Sequence, residues 1–240
     1  MRLAAAFRST VVEALRHETA GKDLLPLLLA KACAKVLPVD GAGLSITDTL
    51  RVPLAASDDM VARAERLQTT LGEGPCLAAA KTEPLVANGT TMAVRWPVFH
   101  QEFVRQTTYR SVASLPLRFL EERNVGALDL YSNDPDTLSQ ALLEEIRTDI
   151  ADPIGAILFA PALADLGDDP AIQGWLTSEN VAERMNVWVA VGMLMQRLDL
   201  PNDDALAVLR GYAFGQQTTL DDVARQVTTK QLEPDALLAG

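Results

Sequence analysis

The sequence predicts two units of different class: an α+β domain built on an antiparallel sheet, then an all-α bundle of three short helices. Three observations carry this reading. Segments 111–119 and 125–131 are strongly patterned strands joined by Glu121-Glu122-Arg123-Asn124, a hairpin within a mixed series of strands and helices. Residues 160–174 hold Pro161, Gly167, Asp168, Asp169, Pro170 and Gly174, the composition of a domain boundary. Beyond it lie three helix-length segments separated by Pro201-Asn202-Asp203-Asp204 and by Gly215.

The elements follow in order. Residues 3–19 read as a helix with Leu3, Phe7, Val11, Ala14 and Leu15 on one face, stopped by Gly21. Asp23 caps a second helix to about Val36, with Pro26 in its first turn, where proline is tolerated, and with Leu24, Leu27, Leu28 and Cys33 buried. Residues 43–47 and 51–56 alternate as strands. Asp58 starts a helix to about Leu67. Gly72 and Gly74 around Glu73, followed by Pro75, force a tight loop ahead of a short helix at 76–81. Residues 84–87 suit an edge strand, because Pro84 cannot donate to a ladder. Trp96 opens a helix to about Thr107, with Pro97 at its first position and Trp96, Phe99 and Phe103 on one face. A long helix starts at Leu138, where Leu142, Ile146, Ile150, Pro153 and Ile157 step by three and four; Pro153 kinks or splits it.

In the C-terminal unit Thr177 or Ser178 caps a helix through Arg197, on which Val181, Met185, Trp188, Gly192 and Met195 share a face. Val187, Val189, Val191, Met193 and Leu194 are apolar too, so the second half of this helix reads as buried on more than one side. The second helix spans about 204–214. Thr219-Leu220-Asp221-Asp222 resembles a capping box for a third helix to about Thr229, and residues 231–240 read as a fraying tail. The domain plan is an N-terminal helix at 1–20, an α+β domain at 21–165 that includes the connecting helix 138–164, a linker at 166–176, the bundle at 177–230 and the tail.

Composition narrows the function classes. Net charge is −11 with a pI of about 4.6, so a general nucleic-acid binder is disfavoured and any such contact must come from a local patch. No apolar run reaches the roughly 20 residues of a membrane span. Arg8, Glu13 and Arg16 interrupt the N-terminal apolar pattern, so it does not read as a signal peptide. Cys33 and Cys76 make neither a disulfide framework nor a metal motif, and His17 and His100 are far apart. No metal or catalytic site is predicted, and a reducing cytoplasm is the expected setting.

Two resemblances sharpen the picture. Arg184, Val187, Ala190, Gly192, Leu194 and Met195, with Asp204-Ala205-Leu206, Leu209-Arg210 and Leu220-x-Asp222-Val223-Ala224, resemble the ANTAR domain over roughly 177–230. That family is a three-helix RNA-binding output module of bacterial signalling proteins. Gly72-Glu73-Gly74-Pro75-Cys76, Arg95-Trp96-Pro97-x-Phe99, Ser114-Leu115-Pro116-Leu117 and Gly126-Ala127-Leu128-x-Leu130-Tyr131-Ser132 are similar to GAF domains that precede ANTAR domains in actinobacterial proteins, over roughly 21–160. Asp129 stands where that group usually has asparagine.

What the resemblance implies is a regulator with a GAF-like sensor, whose bundle binds paired hairpins in nascent RNA and opposes transcription termination. The RNA-binding candidates are Arg184, Arg197, Arg210, Arg225, Gln216 and Gln217. The family-like core of the bundle comprises Ala190, Gly192, Leu194, Met195, Ala205, Leu209, Val223 and Ala224. A small-molecule pocket in the sensor would be walled by Glu73, Cys76, Trp96, Phe99 and Asp129; a filled pocket is the alternative, and no cofactor is identified. A homodimer is expected through the N-terminal helix and the helix 138–164, and a signalling protein partner is a further option.

The bundle departs from its family in charge. From Pro170 onward five basic residues (Arg184, Arg197, Arg210, Arg225 and Lys230) face nine acidic ones, a balance of −4. Val191 stands where the family usually has lysine, and 214–219 carries no cation. An alternative is therefore a degenerate module that contacts proteins through an exposed Trp188 and Val191 stripe. The remaining alternative is a thiol-based redox sensor or enzyme using Cys76 beside Glu73. GAF-like methionine-sulfoxide reductases use several cysteines, however, and this chain has two.

Overall fold

The computed structural model describes residues 2–17, 25–47, 51–79, 83–119, 123–159 and 179–238. The expected linker 166–176, the caps Asp23, Thr177 and Ser178, and the end of the connecting helix fall outside the described residues. The chain runs α1 (Arg2–His17), α2 (Leu25–Val36), β1 (Gly41–Thr47), β2 (Arg51–Ala56), α3 (Asp59–Leu71), α4 (Pro75–Ala79), β3 (Leu85–Asn88), α5 (Gly89–Arg95), α6 (Pro97–Gln106), β4 (Ser111–Phe119) and β5 (Arg123–Ser132). A continuous helical arm follows: α7 (Gln140–Ile146), a π turn (Arg147–Ala151) and α8 (Asp152–Phe159). The C-terminal unit is α9 (Glu179–Leu198), α10 (Asn202–Gly215), α11 (Leu220–Thr228) and a 3-10 turn (Pro234–Leu238).

All five strands pair antiparallel in the order β2-β1-β5-β4-β3, which leaves β2 and β3 at the edges. The fold is a GAF-like antiparallel sheet with helices, followed by three helices. Strand alternation sorts side chains onto two faces. One face carries Leu44, Leu115, Leu117, Leu128 and Leu130, covered by α1, α2, α7 and α8. The other carries Val112 and Tyr131, packed with Val61, Met92, Phe99 and Phe103 of α3, α5 and α6.

Local rules explain the boundaries. Asp58 caps α3 by accepting from the Met60 and Val61 N–H groups at 2.8 and 3.0 Å. Gly72 closes α3 in the left-handed conformation (φ 70°), with its N–H on the Gln68 carbonyl at 3.0 Å. α3 therefore runs four residues past the expected end at Leu67, because Thr69 and Thr70 are buried against neighbours instead of ending it. α5, which the sequence reading passes over, is capped by Asn88, whose side chain accepts from the Thr91 N–H at 3.0 Å. At Pro153 the helical run continues, but its α geometry is interrupted one turn earlier. The preceding turn widens to π geometry, and the Asp152 N–H reaches the Arg147 carbonyl five residues back, which makes room for a ring that cannot donate.

Several faces lie elsewhere than expected. Phe7 and Val11 of α1, and Ile146 and Ile150 of the arm, are buried in the sheet domain's own core, so these positions of the expected dimer seam face inward. Leu15 and Ile157 are exposed. On α9 the inward stripe is Val187, Ala190, Val191 and Leu194. Gly192 and Met195, expected in the core, are exposed, and Val191, expected outside, is 3% exposed. Two apolar stripes share this helix, and α10 and α11 cover only one of them. Of the tail expected to fray, the described residues Pro234–Leu238 form the 3-10 turn, in which Pro234 and Leu237 are buried and Leu237 joins the bundle core.

Candidate functional site

The space between α3 and the sheet holds a buried polar cluster. Arg51 starts β2 and is 1% exposed. Its guanidinium donates to five acceptors: Cys76 Sγ at 2.9 Å, the Glu65 carbonyl and Thr69 Oγ1 at 3.0 Å each, Asp129 Oδ2 at 3.1 Å, and Glu65 Oε2. Asp129 Oδ1 accepts from the Ser114 hydroxyl at 2.5 Å, and Oδ2 also accepts from Gln68 Nε2 at 3.2 Å. The Tyr131 hydroxyl donates to Glu65 Oε1 at 2.6 Å. Gln68 Oε1 in turn accepts the Cys76 N–H at 2.9 Å, which fixes the glycine-rich loop over the cluster.

The sheet register builds this arrangement. Asp129 lies opposite Ser114 on one side and Gly43 on the other. A β-carbon at Gly43 would sit 2.5 Å from Glu65 Oε1, so glycine leaves the room that Glu65 occupies above the sheet. Charge is nearly balanced: one guanidinium faces two carboxylates. Burial raises the Glu65 pKa from 4.5 to about 7, with Arg51 opposing the rise. Burial also pushes both the Cys76 and Cys33 thiols well above their usual range.

Of the five pocket candidates, Cys76, Phe99 and Asp129 are fully buried and Trp96 nearly so. Glu73 Oε1 accepts the Phe99 N–H at 3.0 Å and ties the loop to the start of α6. These side chains hydrogen-bond within the domain or pack in its core. Sequence reasoning missed Arg51, Glu65 and Gln68. Each sits in an element whose charge pattern reads as solvated, and the only available signal was Asp129, an acidic residue in mid-strand.

The bundle places its candidate cations apart. Arg197 pairs with Asp235 at 2.7 Å, and Arg225 pairs with Asp222, one turn back on α11. Arg210 turns away from solvent: its guanidinium lies against Gly72, at the C-terminal end of α3, and its Nε is buried without a hydrogen-bond partner. Burial lowers its pKa, with Asp203 opposing. The side chain of Arg184 is outside the described residues. Gln216 and Gln217 are exposed on the α10–α11 connection, with Gln217 at a positive φ of 54°. Ala190, Leu194, Ala205, Leu209, Val223 and Ala224 are all buried in the bundle core.

The bundle docks on the sheet domain. α10 and α11 contact α3, α9 runs along the edge strand β2, and the Leu220 N–H donates to Thr70 Oγ1 at 3.3 Å. Among the described residues no group of three or more histidine, cysteine, aspartate or glutamate residues is placed to hold a metal ion. No helix among them is long and apolar enough to cross a membrane.

Residues 22–158 match the GAF domain family. The chain belongs to that family. Residues 177–227 match the ANTAR domain, so the chain is a GAF domain followed by an ANTAR domain. No curated protein matches it. Among solved structures, the GAF domain is similar to that of a phosphoenolpyruvate-protein phosphotransferase from Coxiella burnetii, at 17% identity over 66% of this chain and 96% of that one (TM-score 0.47). A domain of a putative two-component sensor histidine kinase from Sinorhizobium meliloti 1021 is similar at 16% identity over 61% and 100% (TM-score 0.47). The type II free methionine-R-sulfoxide reductase from Thermoplasma acidophilum is similar at 16% over 57% and 90% (TM-score 0.42).

Proposed function

We infer that the chain is a signal-responsive regulator, not an enzyme, which binds RNA through its ANTAR domain and opposes transcription termination. The order of domains carries this reading, with a GAF domain at 22–158 ahead of an ANTAR domain at 177–227. The RNA would be a pair of hairpins in a nascent transcript, met in the cytoplasm of an actinobacterial-type cell by a homodimer. Two copies double the phosphate contacts of a bundle that has few cations of its own.

Arg184, Arg197, Arg225, Gln216 and Gln217 are the proposed contacts on the bundle. Arg197 and Arg225 would exchange Asp235 and Asp222 for phosphate, at little cost because exposed ion pairs contribute about 0–1 kcal/mol. Arg210 lies against Gly72 in the docked arrangement and is left out of the proposed contacts. The mutual hydrogen bonds of Arg51, Glu65, Cys76 and Asp129 favour a signal delivered by a protein partner over a small molecule held between α3 and the sheet. The direct test is transcription in vitro across two hairpins and an intrinsic terminator. Read-through is expected to rise with added protein; unchanged read-through over a range of such templates would refute the reading.

A second reading rests on one observation. Met185, Trp188, Val189 and Met195 form an exposed apolar stripe along α9. A degenerate module that docks a protein there would explain the stripe and the acidic balance together. Crosslinking from Trp188 to a protein, with no RNA retained, would favour it. The thiol alternative is disfavoured by burial: Cys76 is fully buried, and burial pushes its thiol up although Arg51 beside it opposes the rise.

A further inference from the structure

The acidic bundle lacks cations where it would meet RNA, but the GAF domain supplies them next to it. A cleft of about 550 Å³ opens where α3 and α6 meet the α10–α11 connection. This is within the roughly 300–1,000 Å³ typical of small-ligand sites. Arg63 and Arg66 enter it one turn apart on α3, and Arg105 enters from α6. Glu102 is the one carboxylate in the lining, and it is held by Arg105. Arg63 donates to the Gln106 carbonyl at 3.2 Å, which anchors it at the rim. Arg66 and the Gln217 side chain have no hydrogen-bond partner among the described residues. Opposite the arginines stands Phe214, 47% exposed, a large ring that the bundle core leaves outside.

This combination has a specific chemistry. In a chain of net charge −11, three arginines gathered against one carboxylate make a local anion site. Phe214 offers a stacking face to a planar ring, and the Gln217 amide offers a donor and an acceptor to its edge. A phosphate beside a base is the ligand class that uses all three features.

We propose that this interdomain cleft binds one nucleotide, with its phosphate on Arg63, Arg66 and Arg105 and its base on Phe214 and Gln217, and that the occupant is an unstacked loop nucleotide of the bound RNA. The proposal rests on the RNA-binding reading above, and it gives the GAF domain a direct share of the RNA surface. A free mononucleotide has the same chemistry and is the other source.

The test uses the full chain, a fluorescent two-hairpin RNA with loops of mixed sequence followed by anisotropy, and adenosine and guanosine 5′-monophosphates followed by calorimetry. The variants are Arg63→Gln/Arg66→Gln and Phe214→Ala, all at exposed positions. Unchanged thermal melting shows that they fold. The double variant is expected to weaken RNA binding at least about tenfold and to reduce the slope of log affinity against log salt by about 0.7, the share of the one phosphate the cleft holds. Phe214→Ala is expected to weaken it about tenfold with the slope unchanged. RNA bound equally by wild type and variants would overturn the cleft and leave the RNA reading standing. Mononucleotide binding that is lost in the variants, with no RNA bound by wild type, would keep the site, assign it to free nucleotide and overturn the RNA reading. Binding of neither would overturn both.

Discussion

Glu65→Gln should remove a pH dependence that the buried cluster builds into the fold. Glu65 is 1% exposed, and burial raises its pKa from 4.5 to about 7 despite Arg51. The folded state therefore holds this proton more tightly than the unfolded chain does. Stability from this group is fully present below about pH 4.5 and is lost as pH rises through about 7. The gap corresponds to roughly 3 kcal/mol, a large share of the 5–15 kcal/mol typical of a domain. Glutamine keeps the size and an acceptor for the Tyr131 hydroxyl but cannot titrate. Urea unfolding of wild type and Glu65→Gln at half-unit steps from pH 4.5 to 8 gives the difference directly. The difference in unfolding free energy is expected to shift by about 3 kcal/mol in favour of the variant across this range. Parallel pH profiles would show that Glu65 is ionised throughout and that the cluster carries two full negative charges against Arg51.

Other outcomes follow from burial and docking. Cys33 and Cys76 are both fully buried, so native protein should react with a thiol reagent only on the timescale of unfolding, and a fast-reacting thiol would contradict the packing of the loop on Arg51. Leu194→Ala should cost about 2–5 kcal/mol in thermal or urea unfolding and Met195→Ala under about 1 kcal/mol, because one is in the bundle core and the other 37% exposed; equal costs would reverse the inward face of α9. Gly72→Ala should cost at least about 1 kcal/mol from its left-handed backbone. The new methyl would also displace Arg210, so protease sensitivity between the domains should rise, and an unchanged cleavage pattern would argue against the docked arrangement.

Much of the fold is legible in the sequence because it rests on local rules. The hairpin of β4 and β5, the glycine turn at 72–74 and the Thr219 cap follow from period, backbone freedom and capping. Choices between equivalent faces are not legible. α9 carries two apolar stripes, and periodicity cannot say that Val187, Ala190, Val191 and Leu194 turn inward while Met185, Trp188 and Met195 turn out; the neighbouring helices decide it. The buried cluster is hidden for a similar reason. Arg51, Glu65 and Asp129 lie up to 78 positions apart, and each alone reads as an ordinary charge at a strand start, on a helix face or in a strand. The cleft arginines are equally dispersed on α3 and α6, and only the docking of the α10–α11 connection brings Phe214 opposite them.

The central claim is that this acidic two-domain chain is an RNA-binding regulator. Titration of the full chain against a two-hairpin RNA at 50, 100 and 200 mM salt (roughly the range over which counterion release is resolved) tests it most directly. The expected result is saturable binding whose log affinity falls linearly with log salt, with several phosphates neutralised. Absence of binding at the lowest salt, or binding indifferent to salt, would contradict the claim and leave the exposed stripe of α9 as the output surface.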